Sequence, residues 1–188
     1  MKTCCFTGHR PKTLPWGNDE NDLRCVSFKS KIRFALENLI VESGYAKFIS
    51  GMAMGADIIC AEVVLSLKNL YPHIKLECAV PNYAFTESWR EEDARRYSSI
   101  LTRADRIKMV SVNKVYSKRD LQLRNIYMVD SSDLIIAVYI GGESGGNERP
   151  EIMVTVTETA TAPSEPVERR RVASLCASSH TTPFCRFM

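Results

Sequence analysis

Five short apolar runs alternate with four segments of helical period along this chain, and that alternation limits the folds open to it. The runs are Lys2 to Phe6, Ala46 to Ser50, Ile74 to Val80, Arg106 to Val112 and Leu134 to Ile140. Between them lie helical patterns over Leu23 to Ser43, Asp57 to about Leu70, Thr86 to Arg103 and Arg119 to Ser131. In the first helix Ile32, Leu36, Leu39 and Ile40 recur at helical spacing, and Gly44 suits the position just past its end. Pro72 stops the second. Thr86 is positioned to cap the third, with Glu87 and Glu91 in its first turns. Strands too short and too apolar to be half-exposed, joined through helices, form a parallel sheet with helices on both faces. The expected fold is therefore α/β, a three-layer sandwich with a mostly parallel sheet.

Length and composition agree. At 188 residues, 45% hydrophobic and 25% charged, the chain holds one domain with spare length and can bury a real core. No apolar run approaches the roughly 20 residues that a membrane helix needs, and the N-terminal apolar stretch is too short for a secretory signal. A cytoplasmic protein without a membrane partner is expected. The net charge of +3 is too mild to argue for nucleic acid. The seven cysteines (4, 5, 25, 60, 78, 176 and 185) form no Cys-x-x-Cys pair and no zinc spacing, so no metal is expected and the thiols read as reduced.

In a parallel sheet the turns that follow the strands share one edge, where ligands bind. Three such turns stand out. Gly51-Met52-Ala53-Met54-Gly55-Ala56-Asp57 passes straight from strand to helix, so glycine lets the backbone approach a ligand while the helix N-terminus offers free N–H groups to a phosphate. Its spacing is neither the dinucleotide Gly-x-Gly-x-x-Gly nor a P-loop, and a tight turn without a ligand is the alternative. Gly141 to Gly146, with four glycines in six residues, suggests a second backbone surface across a cleft; Gly142, Gly145 and Gly146 are its candidates, against a plain surface loop. Thr7-Gly8-His9-Arg10-Pro11 follows the first strand, where Arg10 can pair with phosphate or carboxylate and His9 can donate a hydrogen bond or exchange a proton. Asp57 either complements the helix dipole or holds a ribose hydroxyl, and Asp130 is a better ligand candidate than Asp133, which reads as a cap. Between Arg90 and Asn125, ten Lys/Arg stand against five Asp/Glu; a solvated helical face explains this better than a track for a phosphate backbone.

After Gly146 the periodicity disappears. Residues 147–188 are rich in Thr, Ser, Pro and Arg and read as an irregular, poorly ordered tail, in which Val154 to Thr157 can add one strand. The domain proper is expected to span 1–146.

Three segments carry a family resemblance: Cys4-Cys5-Phe6-Thr7-Gly8-His9-Arg10-Pro11, Ser50 to Asp57, and Arg124-Asn125-Ile126-Tyr127-Met128-Val129-Asp130 running into Leu134 to Tyr139. Together they resemble the bacterial YpsA-like (DUF1273) proteins of the SLOG superfamily, whose relatives include the Lonely Guy phosphoribohydrolases and the DNA-processing protein of natural transformation. The resemblance implies a Rossmann-like fold, a nucleotide-derived ligand related to NAD or ADP-ribose, a role in stress or cell-division physiology and a homodimer. It implies that Gly8, His9 and Arg10 line the cleft, that Gly51, Ala53, Gly55 and Asp57 hold phosphate or ribose, and that Gly142, Gly145 and Gly146 close the other side. Where the family continues Gly-Gly-Thr into a helix and a last strand, Asn147-Glu148-Arg149-Pro150 follows here, as expected if a reading-frame change replaced the C-terminus. The catalytic Glu of the phosphoribohydrolase motif has no match after Gly145-Gly146. A ligand sensor is thus favoured over an N-glycosidase and over a single-stranded DNA binder.

Overall fold

The computed structural model describes residues 1–141 and 151–159. In chain order the elements are β1 (Lys2–Gly8), α1 (Leu23–Val41), β2 (Tyr45–Ser50), α2 (Ala56–Leu67), β3 (Lys75–Val80), α3 (Glu91–Arg103), β4 (Arg106–Met109), α4 (Lys118–Asp130), β5 (Leu134–Gly141) and β6 (Glu151–Glu158). One six-stranded sheet has the order β4-β3-β2-β1-β5-β6. The first five strands are parallel, and β6 runs antiparallel to β5 from Leu134↔Glu158 to Gly141↔Glu151. The sheet therefore extends past residue 146, where the sequence pattern placed the end of the domain. Gly142, Gly145, Gly146 and most of the expected tail lie outside the described residues.

The strands are short and apolar because both faces are covered. Along β1, Cys4 and Phe6 point into the larger core and Cys5 into the smaller; β2 splits Phe48 from Ile49, and β5 splits Ile136 from Ile135, in the same way. The larger core lies under α1, α2 and α3. The α1 stripe Cys25, Phe28, Ile32, Leu36 and Ile40, spaced at three and four residues, meets the almost wholly buried α2 there. The smaller core lies under α4, which supplies Met128 and Tyr127. Three layers result, as the alternation of patterns predicts.

Element ends follow local chemistry. Asp22 caps α1 by accepting from the Arg24 amide at 2.8 Å, and Gly44 beyond its end has φ +70°. The third helix differs from its sequence pattern. It starts at Glu91, not Thr86, because residues 84–89 form turns in which the Trp89 amide donates to the Thr86 carbonyl. Thr86 therefore caps nothing, and the acidic first turn is Glu91, Glu92 and Asp93. The tight turns pack Phe85, Trp89 and Tyr97 edge to face, with centroids 5.2–6.2 Å apart, so aromatic packing overrides the helical period.

Gly8 ends β1 at the tightest point of the sheet. A methyl there would lie 2.5 Å from the Ala56 Cβ and 3.0 Å from the Val138 Cβ, the start of α2 on one side and β5 on the other. Gly8→Ala is expected to lower stability by about 1–3 kcal/mol through overpacking. A drop in the urea midpoint with an unchanged slope would bear this out; an unchanged midpoint would show that the contact yields freely.

Candidate functional site

The chain runs outward from β1 through β2 and β3 to β4, then returns to place β5 on the other side of β1. The carboxyl ends of β1 and β5 thus flank the point where strand order reverses, where open α/β sheets bind ligands. The loop after β1 and the turn after β2 both reach this edge, and they touch. The Ala56 amide donates to the His9 carbonyl at 3.2 Å, and Gly55, at φ +97°, comes so close that a side chain would meet the same oxygen at 2.6 Å. Only glycine fits there, in conformation and in space.

The turn itself is strained and held from within. Met52 has φ +59°, rare outside glycine, yet its side chain is fully buried. Ser50 fixes it: its hydroxyl donates to the Asp57 carbonyl at 2.9 Å and accepts from the Met52 amide at 3.1 Å. The amides of Met54, Gly55 and Asp57 have no acceptor among the described residues. They stand at the start of α2, where the helix dipole favours an anion.

Beneath the turn lies a buried ion pair. The Arg124 Nη1 of α4 is 3.8 Å from the Asp57 Oδ2 and also donates to the Gly51 carbonyl. Any side chain on Gly51 would strike that guanidinium. Asp57 also accepts, at 3.4 Å, from the Ala53 amide. Burial outweighs these attractions, since desolvation raises the Asp57 carboxyl to about 6 and lowers the Arg124 guanidinium from its ordinary value. The Arg124 Nε has no partner among the described residues, although it is fully enclosed. Arg10, exposed on the β1 loop, has no ion pair or side-chain hydrogen bond among the described residues, yet its charge is felt by both Asp57 and Arg124. Arg124 thus lies against a carboxylate at the start of α2, and the charge of Arg10 reaches it from the β1 loop.

A second set of contacts anchors α4. The Asn82 side chain, at the end of β3, donates to the Asp120 Oδ2 at 2.8 Å, and Asn113 donates to the same oxygen at 3.0 Å. Asp120, Arg124 and Met128 form the buried stripe of α4 at four-residue spacing. Two charged residues on the buried face of a helix mark it as more than a packing element.

Beside the turn opens a cavity of about 380 Å³, lined by the β1–α1 loop, the start of α2 and the start of α3. Gly55 forms part of its wall, together with Trp16, Ile58, Asp19, Glu92 and Arg96. Arg96 ties its two sides together, 2.5 Å from both Glu20 of the loop and Glu62 of α2.

Among the expected site residues, Gly8, His9, Arg10, Gly51, Ala53, Gly55 and Asp57 come together at this edge. Asp57 faces inward, only 6% exposed. Asp130 does not join them: α4 runs against the strands and ends near the start of β5, where Asp133 accepts from the Thr3 amide at 2.7 Å, so Asp130 stands at the opposite edge. Gly142, Gly145 and Gly146 lie outside the described residues. Sequence reasoning gave no role to Arg124, Asn82 or Asp120; the signal was the Asp120–Arg124–Met128 stripe. The buried thiols of Cys4, Cys5, Cys25, Cys60 and Cys78 are all pushed up by desolvation and stay protonated at neutral pH. No His, Cys, Asp and Glu cluster suited to a metal occurs among the described residues, and none of their helices is long and apolar enough to cross a membrane.

A parallel sheet with a reversal of strand order and a glycine turn feeding a helix at that edge defines a Rossmann-like α/β protein. Comparison with known proteins narrows the class: the sequence model of YpsA, described as the YspA SLOG family, matches residues 4–162. The chain belongs to that family. It is 31% identical over 140 residues to a UPF0398 protein of Bacillus thuringiensis (strain Al Hakam), a match spanning 74% of each chain. A UPF0398 protein of Bacillus cereus (strain AH187) matches at the same identity and coverage.

The ion pair sets the acid response of the fold. The Asp57 carboxyl lies at about 6 when folded, against about 4 in an unfolded chain, so the folded state binds the proton more tightly. Its contribution is fully present below about pH 4 and is lost as pH rises through 6, a change of roughly 3 kcal/mol at most. Stability profiles of the wild type and Asp57→Asn should therefore diverge between pH 4 and 6; parallel profiles would refute the assignment. Arg124→Met, which leaves Asp57 buried without its partner, should cost about 3–5 kcal/mol at pH 7 and less at pH 4.5, both read from urea midpoints.

Proposed function

We propose that this edge of the sheet binds a nucleotide-derived anion, of the ADP-ribose or NAD-related kind, and that the protein acts as a sensor of that ligand. The observation that carries the reading is that, among the described residues, Arg10 is exposed without a side-chain partner and the amides of Met54, Gly55 and Asp57 lack acceptors, at a turn that only glycine can make. Backbone amides at a helix start recognise phosphate by geometry, and a guanidinium adds bidentate contact. Membership of a SLOG family is consistent with such a ligand. The buried Arg124 then positions the turn from below, holding the Gly51 carbonyl away from the anion.

A thermal-shift series with ADP-ribose, NAD, AMP and inorganic phosphate tests this. A ligand at a hundred times its dissociation constant stabilises by about 2.7 kcal/mol, roughly 5–10 °C for a domain of this size. The shift should vanish in Arg10→Ala and in Gly55→Glu, and chromatography should recover the ligand unchanged. Absence of a shift with every ligand, or a shift insensitive to both substitutions, would overturn the reading; conversion of the ligand would replace the sensor by an enzyme.

A further inference from the structure

The cavity beside Gly55 differs in charge from the turn it adjoins. The charged side chains on its walls are the carboxylates of Asp19, Glu20, Glu92 and Asp93 and the guanidiniums of Arg90 and Arg96. Both guanidiniums are already engaged. Arg90 is held by Glu92 and Asp93, each at 2.9 Å, and Arg96 by Glu20 and Glu62. Neither is left free for an incoming anion, and the walls carry more negative than positive charge. The floor is apolar, with Trp16 and Ile58 almost fully buried. At about 380 Å³ the cavity falls within the range of small-molecule sites. Met54 and Gly55, whose amides have no acceptor among the described residues, stand on the wall of this cavity, among more carboxylates than guanidiniums.

We propose that this cavity receives a ribose with free hydroxyls, joined to the phosphate held at the turn, and that its carboxylates exclude a sugar carrying a further phosphate. The proposal rests on the reading of the turn as an anion site. Carboxylate oxygens accept from vicinal hydroxyls, and an acidic residue beside a ribose is the general means by which α/β sites distinguish a free hydroxyl from a phosphorylated one. Here the acids come from two elements that Arg96 of α3 joins directly through Glu20: Asp19 from the β1–α1 loop and Glu92 from the first turn of α3. A second phosphate would meet like charge with no unpaired cation among the cavity walls, and repulsion of this kind is a strong source of specificity. The apolar floor suits the carbon face of the sugar or the base beyond it.

Calorimetric titration of the full chain with ADP-ribose and with its 2′-phosphorylated form tests the assignment. The wild type should bind ADP-ribose at least tenfold more tightly. Asp19→Lys combined with Glu92→Lys, both exposed positions, should abolish or reverse that preference, while Arg10→Ala should weaken both ligands together. Equal binding of the two ligands by the wild type, with dependence on Arg10 retained, would overturn the ribose assignment and leave the anion site standing. A preference unchanged by the double lysine variant would also overturn it. Failure of both ligands to bind would remove the anion site and this inference with it.

Discussion

One guanidinium holds the carboxyl edge of this sheet together. Arg124 rises from α4, on one face of the sheet, and reaches the Gly51 carbonyl and the Asp57 carboxylate, which belong to the turn and helix of the other layer. The sheet between them is continuous, so this contact can form only at the edge, where the strands end. The geometry of the turn depends on it. Gly51 has no side chain because the guanidinium fills that space, and Met52 takes a left-handed conformation. Burial dominates the electrostatics, displacing both partners from their ordinary ionisation in the direction of neutrality. A pair of this kind adds little net stability but penalises every arrangement that separates its members.

From that fixed turn the rest of the site follows by close approach. Gly55 touches the His9 carbonyl, and Gly8 is wedged between α2 and β5, so the β1 loop and the β2 turn form a single surface. Met54 and Gly55 of that turn also line a cavity whose guanidiniums are engaged by Glu20, Glu62, Glu92 and Asp93.

Much of this was readable in advance, for local reasons. Strands buried on both faces must be short and apolar, so β1, β2, β3 and β5 announced themselves. Glycines at the ends of β1 and β2 marked the places where chains come close. The exceptions have physical causes. The aromatic cluster of Phe85, Trp89 and Tyr97 replaced the first turn of an expected helix with tight turns, which shifted the start of α3 to Glu91. Asp130 looked like a ligand because it precedes the most apolar strand, but residues before a parallel strand lie at the edge away from the site. Arg124 carried no local signature beyond its place in the buried stripe of α4, since its partners are 67 and 73 residues away in sequence.

The sequence by itself determined the layered α/β class, the approximate place of each buried strand and the turns on which glycine was indispensable. These depend on hydrophobic period and backbone sterics, both of which act over a few neighbouring residues. Tertiary structure alone decided that Asp57 faces inward to an arginine rather than outward to a ligand, and that Asp130 falls on the far edge. It also decided that the cavity beside Gly55 is acidic. Each of these follows from which chain segments the order of strands brings side by side, and Coulomb and desolvation energies are fixed by distance in space, not by separation along the chain.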